Sequence, residues 1–509
     1  MKKILAMLLA VALVATLFVG CGSDSGAGAA EEKKVLTVAT PADAKSMDPH
    51  LTNDLPSNNV FINMYENLLT LDENGELVGQ LAESWEKVDD LSYRFHLKKG
   101  VKFHNGEELK ASDVKFSLLR AMNIEGSAVS HVVGEIDPEG FVIEDDYTIV
   151  IKLKKPFTVF LTYLTHVPGG TILNEKAVTE AGEDYAQNPV GSGPYKFKEW
   201  AKGDRIVLER FDDHRAVKPA YEEVVFRAIP EETSRTIELE AGNVDIIYGV
   251  SADDITRIEE NPDLKMARST NLNTQYMGFN CQKGPLADVR VRQAISKALT
   301  VDKIVSTVLR GVGTQATGPI SPSAKYYNTD LKAKEQNIEE AKALLAEAGY
   351  PDGFDTTLWL NDKTVRINMS EIIQNQLKEI GINVEVKVFE WSTYYEALKN
   401  GEIDLYLVGW TMSAPDPDFG LFPLFHTSNM GTNNFSFYSN EEVDAMLEKG
   451  RLLEDGDERQ QLYFDVQEKI YEESPWVFLY NGEETVGLKA GLEGFRPSPL
   501  GTHIIFNVK

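Results

Sequence analysis

The stretch from Thr356 to Trp410 decides the fold, because strand and helix signals alternate along it. It reads TTLWL (356–360), VRINMSEIIQNQLKEIG (365–381), INVEVKVFEW (382–391), STYYEALKNG (392–401) and IDLYLVGW (403–410). The first, third and fifth segments carry short apolar runs, and the two between them are long enough for helices. Short apolar strands joined by such helices predict a βαβαβ unit, with a parallel sheet that is covered on both faces.

The carboxyl edge of this predicted sheet is where we expect a ligand to bind. In open α/β sheets, ligands bind beyond the carboxyl ends of the strands, which points to the loops 361–366 and 410–416. Arg366 lies in the first turn of a predicted helix, where it could hold a carboxylate together with free backbone N–H groups. The alternative is a solvated helix arginine. Trp410 ends an apolar strand, so its indole either stacks on the ligand or closes the core.

Helix and strand signals are also mixed outside this unit. The segment SYRFHLKKGVKFHNG (92–106) predicts two strands around Lys99 and the glycine after it. Asp288 is the predicted N-cap of one helix, and Asn337 begins another with capping-box spacing to Glu340. The fold class is therefore α/β.

Charge and missing motifs argue against several functions. The formal net charge is -28, and the charged residues are interspersed through amphipathic segments, which argues against a nucleic-acid partner. The sequence contains no HExxH, P-loop, paired CxxC or GxSxG motif, so the common signals of an enzyme are missing. The eight histidines include no pair at i, i+4 spacing, and we predict neither a metal site nor a cofactor. Asp416 and Asp418 could bind calcium, but each lies against a proline, which favours turn chemistry.

The N-terminus has the layout of a secretory signal peptide. In MKKILAMLLAVALVATLFVGC (1–21), two lysines precede an apolar run that is shorter than a membrane-spanning helix. We predict a signal peptide over 1–20, lipid attachment at Cys21 and a flexible tether through residue 34. An ordinary signal peptide with an incidental cysteine is the alternative. Beyond Cys21 only Cys281 remains, so no intramolecular disulfide is expected.

Six sequence blocks carry a family resemblance. They are QLAESWEKVDD (80–90), FHLKKGVKFHNGEELKASDVKFSL (95–118), PVGSGPYKFKEWAKGDRIVLERFDD (189–213), GFNCQKGPLADVRVRQAISKALTVDKIV (278–305), AKALLAEAGYPDGF (341–354) and FYSNEEVDAMLEKGR (437–451). The chain resembles the peptide/nickel/oligopeptide-type (family 5) solute-binding proteins of ABC importers, and looks most like the glutathione- or short-peptide-binding branch.

The resemblance implies a three-lobed periplasmic-binding-protein-like fold, of type II and the large cluster C type, with mixed sheets and a hinge. Lobe I is expected to comprise 35–70, 191–283 and 482–509, lobe II 71–190 and lobe III 284–481. Ligand is expected between lobes I and III, which close around it.

The resemblance also raises a question about the ligand's amino group. Dipeptide and oligopeptide binders of this family place an aspartate three residues after the tryptophan, where it meets the ligand's ammonium group. Here that position is Ser413, whose hydroxyl offers no charge. A free amine is therefore held by another acid, such as Asp416, or is not required. Asn433 and Asn434 are further predicted polar contacts.

The function implied by the resemblance is a noncatalytic receptor. It would be a monomeric lipoprotein at the outer face of the cell membrane that captures short peptides or glutathione-like solutes and delivers them to an ABC permease. The same architecture could instead carry a nickel chelate, haem or an oligosaccharide. An anchored extracytoplasmic peptidase is the alternative from another functional class.

Overall fold

The computed structural model describes residues 34–72 and 75–509. The predicted signal peptide, Cys21 and all of the predicted tether except Lys34 lie outside the described residues. Residues Val35–Lys509 form one unit, and the first strand begins at Val35. Within the described part of the chain, no helix is long and apolar enough to cross a membrane.

Strands and helices are both abundant along the described chain, which confirms the α/β class. The strands are β1 (Val35–Thr40), β2 (Leu69–Leu71), β3 (Leu77–Gly79), β4 (Ala82–Asp89), β5 (Ser92–Leu97), β6 (Ile136–Asp145), β7 (Thr148–Leu153), β8 (Tyr195–Ala201), β9 (Arg205–Arg210), β10 (Glu223–Ala228), β11 (Ile246–Tyr248), β12 (Leu264–Phe279), β13 (Thr314–Gln315), β14 (Phe354–Asn361), β15 (Ile382–Phe389), β16 (Leu405–Thr411) and β17 (Trp476–Lys489).

The α-helices alternate with these strands. They are α1 (Leu55–Met64), α2 (Ala111–Asn123), α3 (Phe160–Tyr163), α4 (Glu175–Ala181), α5 (Glu232–Glu240), α6 (Ala252–Glu259), α7 (Val289–Ala298), α8 (Val301–Leu309), α9 (Ile338–Glu347), α10 (Thr364–Lys378), α11 (Trp391–Lys399), α12 (Asp418–Phe425), α13 (Glu441–Gly450) and α14 (Asp457–Glu473). Short 3₁₀ helices cover Gly182–Gln187, Gly284–Ala287 and Thr427–Asn429.

The predicted βαβαβ unit is confirmed as β14-α10-β15-α11-β16. Strand β14 lies between β15 and β16 and is parallel to both. Leu405 and Leu407 of β16 share a core cluster with Met369 of α10, whereas Tyr406 shares another with Tyr394 of α11. The two helices therefore cover opposite faces of the sheet, because successive strand residues point to opposite faces.

One mixed sheet extends from this unit through much of the molecule. Its strand order is β15-β14-β16-β12-β17-β11-β1-β10-β9-β8, with β13 paired to β17. The long antiparallel pair β12 and β17 joins the part of the sheet that contains β14–β16 to the part that contains β1, β10 and β11. A separate four-stranded sheet has the order β4-β5-β7-β6.

The β12–β17 pairing is interrupted near its middle. Residues 264–270 pair with 483–489, and pairing resumes at Thr274 with Asn481. Extra residues on one strand bend it and increase its local twist. The predicted lobe boundary at 481/482 falls beside this irregularity, and the boundary at 283/284 follows β12; the lobe limits stay a prediction.

The prediction of a second strand within 92–106 was wrong. Residues Ser92–Leu97 form β5, but the following segment makes only an isolated bridge between Lys102 and Glu108. Val101 and Phe103 are fully buried, and the Phe103 N–H donates to the Glu107 carbonyl to close a tight turn. The alternation of apolar residues there reflects burial of a turn against the core, not a place in a sheet.

Candidate ligand-binding site

Arg366 lies at the carboxyl end of β14, as the sequence predicts. It is 8% exposed, and its Nη1 donates to Oδ1 of Asn361, the last residue of β14, at 2.7 Å. Its Nη2 donates to Oε1 of Gln275 on β12 at 3.0 Å. The guanidinium is therefore fixed between two neutral amides at the edge of the sheet, and the alternative of a solvated helix arginine is wrong.

The charge of Arg366 has no acidic partner in the part of the chain that the structure describes. Among the described residues, no carboxylate lies within ion-pair distance of its guanidinium, and burial lowers its pKa. Arg292 shows how this fold satisfies a buried arginine for purely structural ends: its guanidinium donates to four backbone carbonyls. Burying a charge without a counter-ion costs free energy. The arrangement at Arg366 therefore suits a negatively charged ligand group.

A row of amide side chains runs from Arg366 along β12. We call Asn271, Asn273 and Gln275 the amide track. Gln275 Nε2 donates to Asn273 Oδ1 at 2.7 Å, and the Asn273 N–H donates to Asn271 Oδ1 at 3.0 Å. Asn273 Nδ2 also donates to Thr411 Oγ1 at the end of β16 at 2.7 Å. The track thus joins the strand-end site to the irregular segment of β12.

Glu484 lies at the other end of the amide track. Asn271 Nδ2 donates to Glu484 Oε1 at 3.4 Å, and burial raises the pKa of Glu484. His503 Nε2 is 4.0 Å from Oε2, but burial lowers the pKa of His503 to about 4, so this ring is neutral near pH 7. No lysine or arginine of the described chain lies within 4.0 Å of Glu484, whereas its neighbour Glu483 is paired with Arg268.

Trp410 lies near the same edge but on the opposite face of the sheet from the Gln275 side chain. It pairs with Thr274, and Gln275 pairs with Gly409, where a Cβ would collide with the glutamine side chain. The indole Nε1 donates to the Phe419 carbonyl at 2.7 Å, and the ring packs against a core cluster. This favours a role in closing the core, while its half-buried ring leaves a contact with ligand as a prediction.

Ser413 is exposed at the tip of the loop that follows β16. Met412 and Ala414 on either side are buried, and the Met412 N–H donates to the Leu272 carbonyl of β12. The loop is therefore anchored on both sides of the serine, which is itself exposed close to the end of β16.

Asp416 belongs to an internal ion pair. It is 5% exposed, its oxygens accept from Nη1 and Nη2 of Arg459 at 2.7 and 2.9 Å, and Oδ1 also accepts from the Asp418 N–H. The last bond is the turn chemistry predicted from the sequence. The described geometry does not support Asp416 as the acid for a ligand's ammonium group, because Arg459 already occupies both oxygens.

Asp418 is buried at the start of α12. Its Oδ1 lies 3.1 Å from Arg451 Nε, but the alignment is too poor for a hydrogen bond. Burial raises the pKa of Asp418 to about 7. The guanidinium of Arg451 lies over the rings of Phe422 and Phe157, at 3.9 and 4.7 Å from their centroids.

Asn433 and Asn434 do not converge on the strand-end site. Their loop lies at the amino end of β16, where Ser436 Oγ bonds to the Tyr406 hydroxyl at 2.7 Å. At about 3.3 Å per residue, Tyr406 is roughly 17 Å from Thr411 at the other end of the strand. Asn434 is fully buried, and its amide donates to the Tyr438 carbonyl at 2.8 Å and accepts from the Tyr438 N–H. Its observed role is to shape this loop.

Neither the amide track nor Glu484 was predicted from the sequence. Both lie on long strands that none of the predicted ligand loops includes. The alternation of Asn271, Asn273 and Gln275 with less polar residues was a usable signal, because it places three amides on one side of a strand. No local signal distinguishes Glu484 from Glu483; only the fold shows that one is paired and the other is not. Within the described chain, no group of three or more acidic, histidine or cysteine side chains could hold a metal ion.

Comparison with known proteins identifies the class. Residues 76–432 match the model of the middle region of bacterial extracellular solute-binding proteins, family 5. A glutathione-binding protein of Pectobacterium atrosepticum is 30% identical over 477 residues, which cover 92% of each chain. A heme-binding protein A of Haemophilus influenzae is 31% identical over 84% of this chain and 83% of its own.

The fold agrees with this assignment. An ABC transporter-associated periplasmic binding protein of Helicobacter pylori, solved in complex with the peptide STSA, superposes with a TM-score of 0.76 at 30% identity and covers 94% of this chain and 98% of its own. The protein belongs to family 5 of the bacterial extracellular solute-binding proteins. The resemblance seen in the sequence is therefore confirmed.

Proposed function

We propose that this protein captures short peptides or glutathione-like solutes outside the cytoplasm and delivers them to an ABC permease for import. The observation that carries the proposal is Arg366, a buried guanidinium at the carboxyl edge of the sheet that has no acidic partner among the described residues. A ligand carboxylate would supply the missing charge through a charge-assisted hydrogen bond. The glutathione-binding relative and the peptide complex of the H. pylori protein support this ligand chemistry.

Binding would be coupled to closure through the central strands. β12 and β17 connect the two parts of the large sheet, and their pairing is irregular between Thr270 and Thr274. Such an irregularity provides a place where two lobes can change their relative angle. A ligand that contacts both lobes stabilises the closed form, which the permease would then recognise.

The proposed receptor is a noncatalytic monomer that a lipid on Cys21 holds at the outer face of the membrane. The layout of residues 1–21 is the support for this anchor. Mass spectrometry of the protein from its native membrane is expected to find acyl chains on an N-terminal Cys21. Cys21→Ala is expected to appear in the soluble extracytoplasmic fraction, and a variant that stays in the membrane as the wild type does would contradict lipid attachment.

Haem is the second candidate cargo, because the H. influenzae relative is a heme-binding protein. The site argues for the peptide-like ligand: the side chains that meet at Arg366 are the amides of Asn361 and Gln275. Amides suit a peptide frame, whereas haem would expose a large apolar ring to them. A haem titration followed by absorbance separates the two, because a haem complex has its own visible spectrum.

A ligand screen tests the proposal as a whole. Mass spectrometry would identify any small molecule released from the purified protein. Thermal unfolding would be measured with dipeptides, tetrapeptides, glutathione, haem, a nickel chelate and an oligosaccharide. A bound ligand raises the melting temperature by mass action, so a peptide or glutathione is expected to raise it. Stabilisation by haem, chelate or sugar alone would overturn the peptide assignment, and turnover of a peptide would overturn the noncatalytic role.

A further inference from the structure

We propose that Glu484 holds the ammonium group of the ligand, and that Glu484 and Arg366 together select solutes with one free ammonium group and one free carboxylate. This inference deepens the proposed function and rests on it. The acid would come from the central strand β17, instead of from the loop after β16, where Ser413 offers no charge.

The first support is the pattern of charge pairing. The Glu484 side chain is 22% exposed, and it has no lysine or arginine within 4.0 Å in the described chain. Its adjacent residue, Glu483, is paired with Arg268, and Asp416 is paired with Arg459. Glu484 is therefore an acid that the amide track links to the strand-end site and that no lysine or arginine of the described chain neutralises.

The second support is that two uncompensated charges of opposite sign share one hydrogen-bonded path. Arg366 donates to Gln275 at one end of the amide track, and Asn271 donates to Glu484 at the other. Each charge is costly to bury alone. A zwitterionic ligand would supply an anion to Arg366 and a cation to Glu484, and so would neutralise both at once.

The third support is the length of the path. The four steps of β12 from Thr270 to Thr274 lie opposite only two steps of β17, from Glu483 to Asn481, so this part of the path spans about 7 Å at 3.3 Å per residue. The backbone of two or three extended residues covers about 7 to 10 Å, which is a similar distance. The amides between the two charges can donate to and accept from a peptide backbone, because each side-chain amide has both kinds of group. The chemistry fits a short extended peptide, and glutathione presents the same two kinds of charged group.

The accessibility of Glu484 follows from its surroundings. Gly501 lies against it, and a Cβ built there would come within 3.3 Å of Glu484 Oε1 and 3.2 Å of the Leu55 side chain. Leu55 is itself 44% exposed. The Glu484 carboxylate thus lies against Gly501 and near the exposed side chain of Leu55, where the C-terminal segment packs close to β17.

The test compares ligand end groups on matched variants. Calorimetry would measure the affinity of wild type, Glu484→Gln and Glu483→Gln for the peptide STSA, its N-acetylated form, its C-amidated form and reduced glutathione. In Glu484→Gln, the affinity for free STSA is expected to fall about 10- to 100-fold, because a charge-assisted bond is lost. The affinity for N-acetyl-STSA is expected to stay within about twofold of wild type. Glu483→Gln, which alters the paired neighbour on the same strand, is expected to keep the wild-type preference for the free amine.

The outcomes separate this inference from the proposed function. If Glu484→Gln bound free STSA and glutathione as tightly as the wild type, the ammonium assignment would be overturned and the peptide receptor would stand. If the wild type bound neither of these nor any peptide of the ligand screen, the ammonium assignment and the proposed peptide-receptor function would both be overturned. Should Glu484→Gln unfold, Glu484→Asp is measured instead, because it keeps the charge. If this variant still binds free STSA more tightly than acetylated STSA, the inference is supported. If it binds STSA but has lost that preference, the inference is overturned.

Discussion

Arg366 and Glu484 lie at the two ends of one hydrogen-bonded path, although 118 positions and several helices separate them along the chain. The path runs through the three amides of β12, and neither charge has a partner of opposite sign in the described chain except His503 at 4.0 Å, which is neutral near pH 7. If Arg366 and Glu484 had formed an ion pair with each other, each charge would have been neutralised within the protein. Their separation leaves two charges available to a ligand.

Replacing Arg366 by Met is expected to weaken binding of a free-carboxylate peptide about 10- to 100-fold, because the charge-assisted bond is lost. Binding of the C-amidated peptide is expected to change little. The free energy of unfolding without ligand is expected to change by less than about 1 kcal/mol, because loss of the two amide bonds is offset by removal of an unpaired buried charge. Calorimetry and urea unfolding measure both quantities.

The control for this change is Arg310→Met, which removes an exposed arginine that is paired with Asp253. It is expected to leave affinity unchanged. Equal weakening of the free and amidated peptides by Arg366→Met would show that the guanidinium does not hold the carboxylate.

Asp416→Asn is expected to destabilise the fold by about 1 to 3 kcal/mol, because it removes the buried counter-ion of Arg459 and leaves this guanidinium only Asp455, whose side chain is 55% exposed. The double variant Asp416→Leu with Arg459→Met is expected to recover most of this loss, since an apolar pair avoids the desolvation of two charges. Urea unfolding gives the free energies. A loss of ligand affinity in the folded double variant would return Asp416 to the list of ligand contacts.

Asp418 is expected to make stability fall as the pH rises. Its pKa is raised to about 7 in the fold by burial, so the folded protein holds this proton more tightly than the unfolded chain. The contribution is greatest below the unfolded pKa and is lost as the pH rises through about 7, by no more than about 4 kcal/mol.

Thermal unfolding between pH 5 and 8 measures this effect. Asp418→Asn removes the titration, so its stability is expected to decline less over this range than that of the wild type. Asp253→Asn alters an exposed acid and serves as the control. Parallel profiles for wild type and Asp418→Asn would rule out a raised pKa at this position.

Asn434→Ala is expected to cost about 1 to 3 kcal/mol of stability, because it leaves buried backbone groups of Tyr438 without partners. Ligand affinity of the folded variant is expected to stay unchanged. Asn433→Ala is the matched control, since Asn433 is only half-buried. A fall in affinity in either variant, with stability held, would place this loop at the ligand after all.

Local signals were sufficient for the elements of the fold. Asp288 and Asn337 cap their helices as predicted, because an N-cap side chain satisfies backbone N–H groups a few residues away. The βαβαβ unit followed from the order of apolar runs. Arg366 was placed at the carboxyl edge because that rule depends only on strand direction.

Pairings between distant residues could not be obtained in this way. Asp416 looked available until the fold brought Arg459 to it, and Asn433 seemed to follow the ligand loop until the chain returned to the other end of β16. Glu484 carries the same side chain as its neighbour Glu483. The difference between them comes from Arg268, which lies 215 residues away.

The irregular segment of β12 has a consequence for transport. The strand that would measure the ligand, from Asn271 to Gln275, overlaps the place where its pairing with β17 is interrupted. In the proposed receptor, the residues that contact the ligand along its length are then also the residues at which the lobes change their angle. A solute of unsuitable length would therefore strain the segment that must bend during closure. Recognition by the permease would thus depend on ligand length even where affinity does not, and a tightly held solute could act as an inhibitor of import in place of a cargo.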